Sequence, residues 1–211
     1  MCQQVIDIMS MACSLNEYVY KIFFMKNLIC GIYMIAVISV ISACNNSSTS
    51  EKKDSVDSAN AVNKEVKAVD QASSKFAVNA ADGGMMEVAV GKLASEKAVS
   101  KRIRAFGQMM VKDHSEANDK LKGIASSLNI ALPDSLSDES KKELDNLSKK
   151  TGKDFDKAYM DMMVDDHKKD VAEFRKAADN LSDSTIKSFA ESTLPVLEKH
   201  LDSAQSIVAK K

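Results

Sequence analysis

From Phe76 onward, apolar residues recur at every third or fourth position, the period of a helix with one buried face. The spacing predicts four long helices, over about 75–98, 101–128, 153–181 and 184–209. The second carries the stripe Ile103, Phe106, Met110, His114, Ala117, Leu121, Ile124, Leu128. The third carries Phe155, Tyr159, Met163, His167, Val171, Phe174, Ala178, and the fourth Ile186, Phe189, Thr193, Leu197, His200, Ala204, Ile207. The first is different. Its stripe, Ala80, Gly84, Glu87, Gly91, Ala94, Ala98, is a row of small residues interrupted by one carboxylate, which allows a neighbouring helix to approach closely. Ser100 is placed to cap the second helix. "ALPDSLSD" reads as a loop, residues 138–149 as a short helix, and Gly152 as the break before the third long helix. Pro195 lies inside the fourth, where it should bend it.

Each stripe therefore carries one side chain that can act as a metal ligand: Glu87, His114, His167 and His200. They include all three histidines of the chain. Residues equally far from a turn lie level in an antiparallel pair. The midpoint of Glu87 and His114 falls between Ser100 and Lys101, and that of His167 and His200 between Asp183 and Ser184. Both midpoints are turns, so each pair is expected to be level within its own hairpin. Whether the two hairpins match in depth is left open by the pattern. "IRAF" at 103–106 and "IKSF" at 186–189 open the second and fourth helices, as an old duplication of a hairpin would leave them. "MMVKDH" (109–114) and "MMVDDH" (162–167) lie on non-equivalent helices under that alignment, so a shared interior layer is the better account of their likeness.

Composition narrows the function classes. Formal net charge is −1 over 211 residues, which gives no basic face for nucleic acid. With 5% aromatic residues, two prolines and seven glycines, the chain suits helices and disfavours a β-sandwich or barrel. The four cysteines are Cys2, Cys13, Cys30 and Cys44, so the helical part holds no disulfide and no thiolate metal site.

The N-terminal part reads as an address. "MKNLICGIYMIAVISVISAC" starts at Met25 with one lysine, continues as an apolar run and ends in small residues, the order of an export signal. "ISAC" resembles the bacterial lipobox, which implies a signal at 25–43, removal of it, and a diacylglyceryl group on Cys44. The expectation is an exported protein of the bacterial cell envelope, facing the periplasm or held at the outer membrane, with the membrane as its partner through that lipid. Protein partners are not indicated. Residues 1–24 have no role in such a signal and read as an over-extended gene start. Residues 44–74 read as a polar tether, with Val62, Val66 and Val69 at the spacing of a loose helix over 61–75.

"GGMMEVAVGKLASEKA", "FGQMMVKDH", "FDKAYMDMMVDDH" and "LPVLEKHL" together resemble the successive motifs of domain-of-unknown-function family 4142, exported bacterial proteins, over about residues 75–209. The resemblance implies a ferritin-like four-helix bundle over 75–211, here with a short extra helix in the crossover between helices 2 and 3. It maps the family's recurring polar positions to Glu87, His114, His167 and His200. It implies no activity.

Ferritin-like di-iron sites take a Glu-x-x-His from each of two helices. Here Val111, Val164 and Leu197 stand three residues before the histidines, so the bridging carboxylates are missing. Three imidazoles and a carboxylate instead suit one transition-metal ion, zinc, copper, nickel or iron. Asp170, one turn after His167, is placed to orient its second nitrogen. Asp113 and Asp166 point about 100° from their neighbouring histidines, toward the flank. Seven methionines, Met85, Met86, Met109, Met110, Met160, Met162 and Met163, precede these ligands closely; they read as core filling, with Cu(I) binding as the sharper option. The function expected is non-catalytic metal binding. The alternative is a structural or interaction lipoprotein whose buried Glu/His layer holds no metal and fixes helix register. A mononuclear metalloenzyme would need an open coordination position and a substrate pocket.

Overall fold

A computed structural model describes residues 53–210 of the chain. The expected gene start at 1–24, the signal at 25–43 and Cys44 lie outside the described residues. Those described form six helices and no strand: α1 Ser55–Val66, α2 Gln71–Lys97, α3 Lys101–Ser127, α4 Asp138–Ser148, α5 Gly152–Asn180 and α6 Ser184–Ala209. Four long helices and the short α4 fall where the apolar period puts them. α6 runs through Pro195 without a break. No described helix is long and apolar enough to cross a membrane.

α2 and α3 form one antiparallel hairpin and α5 and α6 another. Small residues set the first. A Cβ on Gly91 would come 2.9 Å from the Gly107 carbonyl oxygen, and one on Gly107 would come 2.7 Å from the Gly91 carbonyl oxygen. Only hydrogen fits between the two backbones. Gly107→Ala is therefore expected to cost about 1–3 kcal/mol through forced separation of α2 and α3, although alanine is by ~1 kcal/mol the better helix former. A urea midpoint equal to or above that of the wild type would contradict this contact.

Aspartates cap α1, α2 and α6, and Ser137 caps α4. Asp54 accepts from Val56 and Asp57 N–H, Asp70 from Ala72 and Ser73, and Asp183 from Thr185 and Ile186. α3 and α5 lack a side-chain cap from their own N-cap residues. Ser100 occupies the N-cap position of α3, but the Ser100 side chain makes no capping bond. The carboxylate of Asp156, on α5, accepts from Val99 N–H and Ser100 N–H, each at 2.9 Å. The start of one hairpin's second helix is thus capped by the other hairpin.

Part of the expected tether is folded. Residues 55–66 form α1, Lys67 adopts a left-handed backbone (φ 52°) and ends it, and Asp70 starts α2. The loose helix expected over 61–75 is therefore two helices with a break between them. α1 docks by polar contacts: Asn63 Nδ2 donates to the Ala131 carbonyl at 2.9 Å, and Ala131 N–H donates to Asn63 Oδ1 at 2.7 Å. At the other end Asp138 N–H donates to Asp54 Oδ2 at 2.6 Å. Val62 and Val66 stay about half exposed. A hydrophobic pattern is blind to docking of this kind, because the contact is made by an amide side chain and loop backbone.

The core has two parts. One is methionine-rich, with Met86, Met110, Met160 and Met163 around Phe106, Phe155 and Tyr159. The other, around Leu121, Phe174, Ile186 and Phe189, has no buried methionine. Met110 and Met163, from the two "MMV" segments, share the first part, as a common interior layer requires. Along every long helix, the one stripe ligand lies between residues of the two clusters or beside their boundary.

Candidate metal centre

Glu87 from α2, His114 from α3, His167 from α5 and His200 from α6 meet in the layer between the two apolar clusters. All four are buried, with at most 5% of their surface exposed. Within the hairpins, His114 Nδ1 lies 2.7 Å from Glu87 Oε2 and His167 Nε2 lies 3.4 Å from His200 Nδ1. Between the hairpins, His167 Nε2 lies 3.3 Å from Glu87 Oε1. The two pairs are level, and they are level with each other.

The acceptors around the rings fix the tautomers. His114 Nδ1–H donates to Glu87 Oε2. His167 Nδ1 faces the Met163 carbonyl at 2.9 Å, and a carbonyl can only accept, so that nitrogen carries the proton. His200 Nε2 donates to Asp113 Oδ2 at 3.0 Å. In the neutral rings the remaining nitrogens, His114 Nε2, His167 Nε2 and His200 Nδ1, are therefore bare lone pairs. One ligand nitrogen from each of the three rings lies within 4.8 Å of the others. His114 Nε2 and Glu87 Oε1 are buried and form no hydrogen bond; the 3.3 Å approach of Oε1 to His167 Nε2 brings an acceptor against a lone pair rather than a donor.

Electrostatics act in the same direction. Burial pushes His114 and His167 down to about 4, and lowers His200 as well, so all three rings are neutral at pH 7. Burial pushes Glu87 up to about 7. Asp170 is raised well above its ordinary value, first by burial and then by the Glu87 charge beside it. A lone-pair-lined pocket with a carboxylate short of counter-charge suits a cation.

The predicted set is brought together, with two corrections. Asp170 does not orient His167. The Met163 carbonyl takes the second nitrogen, and Asp170 lies against Glu87, where Glu87, His167 and Asp170 offer ligand atoms within 4.8 Å of one another. Asp113 is not confined to the flank but holds His200. The 100° turn away from His114 points it at α6, the second neighbour of α3, whereas Asp166 pairs with Lys169 on its own helix as a flank residue does. Tyr159 places a buried, unpartnered hydroxyl in the methionine-rich cluster, and burial raises its pKa. The sequence marked it only as a core aromatic. The set does not fit a di-iron centre. Val111, Val164 and Leu197 supply no bridging carboxylate, and the one stripe carboxylate already binds His114.

The chain belongs to the family described as Domain of unknown function (DUF4142), whose model matches residues 58–207. The matched span opens inside α1 and closes near the end of α6, so all four stripe ligands fall within it. No curated protein matches the chain. Among solved structures, it is similar to the crystal structure of a DUF305 fragment from Deinococcus radiodurans, with a TM-score of 0.59 and 11% identity over 66% of this chain and 97% of that one. At that identity the likeness concerns the fold alone.

Proposed function

We propose that this protein is a non-catalytic transition-metal binder of the bacterial cell envelope, a ferritin-like four-helix bundle with one mononuclear centre. The observation that carries the reading is that one ring nitrogen from each of His114, His167 and His200 lies within 4.8 Å of the others in a buried layer, with Glu87 Oε1 3.3 Å from His167 Nε2. Each ring is oriented through its other nitrogen by Glu87, the Met163 carbonyl or Asp113, the arrangement that outer partners give to metal-binding histidines. His114, His167 and His200 would hold the ion with Glu87 beside them, and the donor set suits zinc, copper, nickel or iron. The cavity against the centre is about 40 Å³, far below the several hundred of an organic-substrate site. Protein purified without a chelator or a metal-affinity tag is expected to carry about one equivalent of a transition metal. Less than a tenth of an equivalent, with no uptake on titration, would leave the second reading.

That second reading is a metal-free polar layer fixing helix register. It is favoured by the 2.7 Å bond between Glu87 and His114, which already satisfies one oxygen and one nitrogen.

Export and anchoring rest on the signal starting at Met25 and on "ISAC". With lipid on Cys44, α1 begins eleven residues further on, at Ser55, so the described fold takes up the later part of the expected tether. The intact mass of the membrane form is expected to start at acylated Cys44, and Cys44→Ala to block both acylation and signal removal. A mature chain containing residues 1–24 would contradict this.

A further inference from the structure

The cavity against the centre has Glu87 and His114 in its wall, together with Gly83, Gly84, Asp170 and Thr193. About 40 Å³ holds roughly two or three waters, room for a cation that keeps part of its hydration. Outside lies a surface groove that shares Asn79, Gly83 and Glu173 with the cavity. Seven carboxylates line the groove, Asp82, Glu143, Asp166 and Glu173 among them, against one amine, Lys169.

We propose that groove and cavity together form an access route for a hydrated metal cation, which passes between Gly83 and Glu173 and is led inward by Asp170 to Glu87 and the histidines. The proposal rests on the metal-binding reading of the centre. Two buried, unpartnered atoms at the inner end, Glu87 Oε1 and His114 Nε2, give the acidic groove a destination. On α5, His167, Asp170 and Glu173 follow at three-residue steps, so they climb one face of the helix. Their exposure rises in the same order: His167 is buried, Asp170 partly exposed and Glu173 exposed. Opposite them stands Gly83. Glycine is a poor residue for a helix interior, and no packing requires it there, since an added Cβ would meet nothing within 4 Å. At Gly84, by contrast, a Cβ would fall 2.1 Å from Asn118 Oδ1. Gly84 thus makes room for a neighbour and Gly83 keeps an opening. Burial, with the charges of Asp166 and Glu139, raises the Glu143 pKa, so the groove is short of positive charge. A low-dielectric cleft of one sign concentrates counter-ions and raises their on-rate about 10–10³-fold.

The test is stopped-flow mixing of the metal-free protein with Co²⁺, followed by the visible absorption of the bound ion. Glu173→Lys changes an exposed residue and is expected to slow association about tenfold at low salt, with the difference shrinking as salt is added. Gly83→Leu places a side chain in the opening. It is expected to slow association and dissociation together, by about tenfold or more, leaving Kd near the wild-type value. Association within about twofold of the wild type in Glu173→Lys and in any folded Gly83→Leu protein overturns the route while the metal reading stands. Wild-type protein that binds no Co²⁺ at all overturns the metal reading, and the route with it.

Discussion

Zinc or copper added to the metal-free protein at pH 7 is expected to raise its melting temperature, with a gain that grows with free metal. The stabilisation follows RT ln(1 + [L]/Kd), about 2.7 kcal/mol at a hundredfold excess over Kd. The cleanest way to remove it is His200→Leu. His200 contributes one bare nitrogen, and its other nitrogen bonds Asp113, a carboxylate with about a quarter of its side chain exposed that water can serve once the ring is gone. Leucine suits the surrounding apolar layer, so the metal-free variant is expected to be at least as stable as the wild type while the metal-dependent gain disappears. His114→Leu is a harsher change. It strands Glu87 Oε2 in a fully buried position, and an unsatisfied buried group costs about 1–3 kcal/mol. A metal-free polar layer predicts another pattern: no response of the wild type to zinc, copper, nickel or iron.

Without metal, the protein is expected to lose stability as the pH falls from about 6.5 to about 4. His114 and His167 have folded-state pKa values of about 4, against 6.5 for the free side chain. Between those values the unfolded chain binds more protons than the folded one, so each added proton favours unfolding. Glu87 acts in the opposite sense. Its pKa rises from 4.5 to about 7, so the folded state holds the extra proton over that range, and its contribution fades as the pH rises toward 7. Asp170, whose pKa is also raised well above its ordinary value, acts with Glu87, so the net loss on acidification is smaller than the two imidazoles alone would give. His200 is shifted in the same direction as the other rings and deepens the loss. Glu87→Gln keeps an acceptor toward His114 but removes the counterweight, so its acid loss should exceed that of the wild type. Urea midpoints at pH 7, 5.5 and 4.5 in a chelating buffer measure both. A wild-type midpoint that is flat or rises on acidification would contradict neutral, buried imidazoles.

The sequence by itself determined the helices, their faces and the four residues of the buried Glu/His layer. A stripe with a 3.6-residue period has one buried side, and a histidine or glutamate on that stripe is carried inside with it. Equal distances from Ser100 and from Asp183 made each pair level within its hairpin. The small residues of α2 likewise announced a close approach, which Gly91 and Gly107 make. What only the tertiary structure decided is everything between elements not joined by a short turn. The depth of one hairpin against the other places Glu87 Oε1 3.3 Å from His167 Nε2, and no turn length encodes it. Asp113 reaches His200, Asp156 caps α3 and Asn63 docks α1, all across more than fifty residues of chain. These contacts are polar and pairwise. An apolar stripe repeats along a helix and leaves a period to read, whereas a single hydrogen bond to a distant partner leaves none. Tautomers were settled last, because which nitrogen of each histidine is bare depends on the acceptor that the packed neighbour brings to the other.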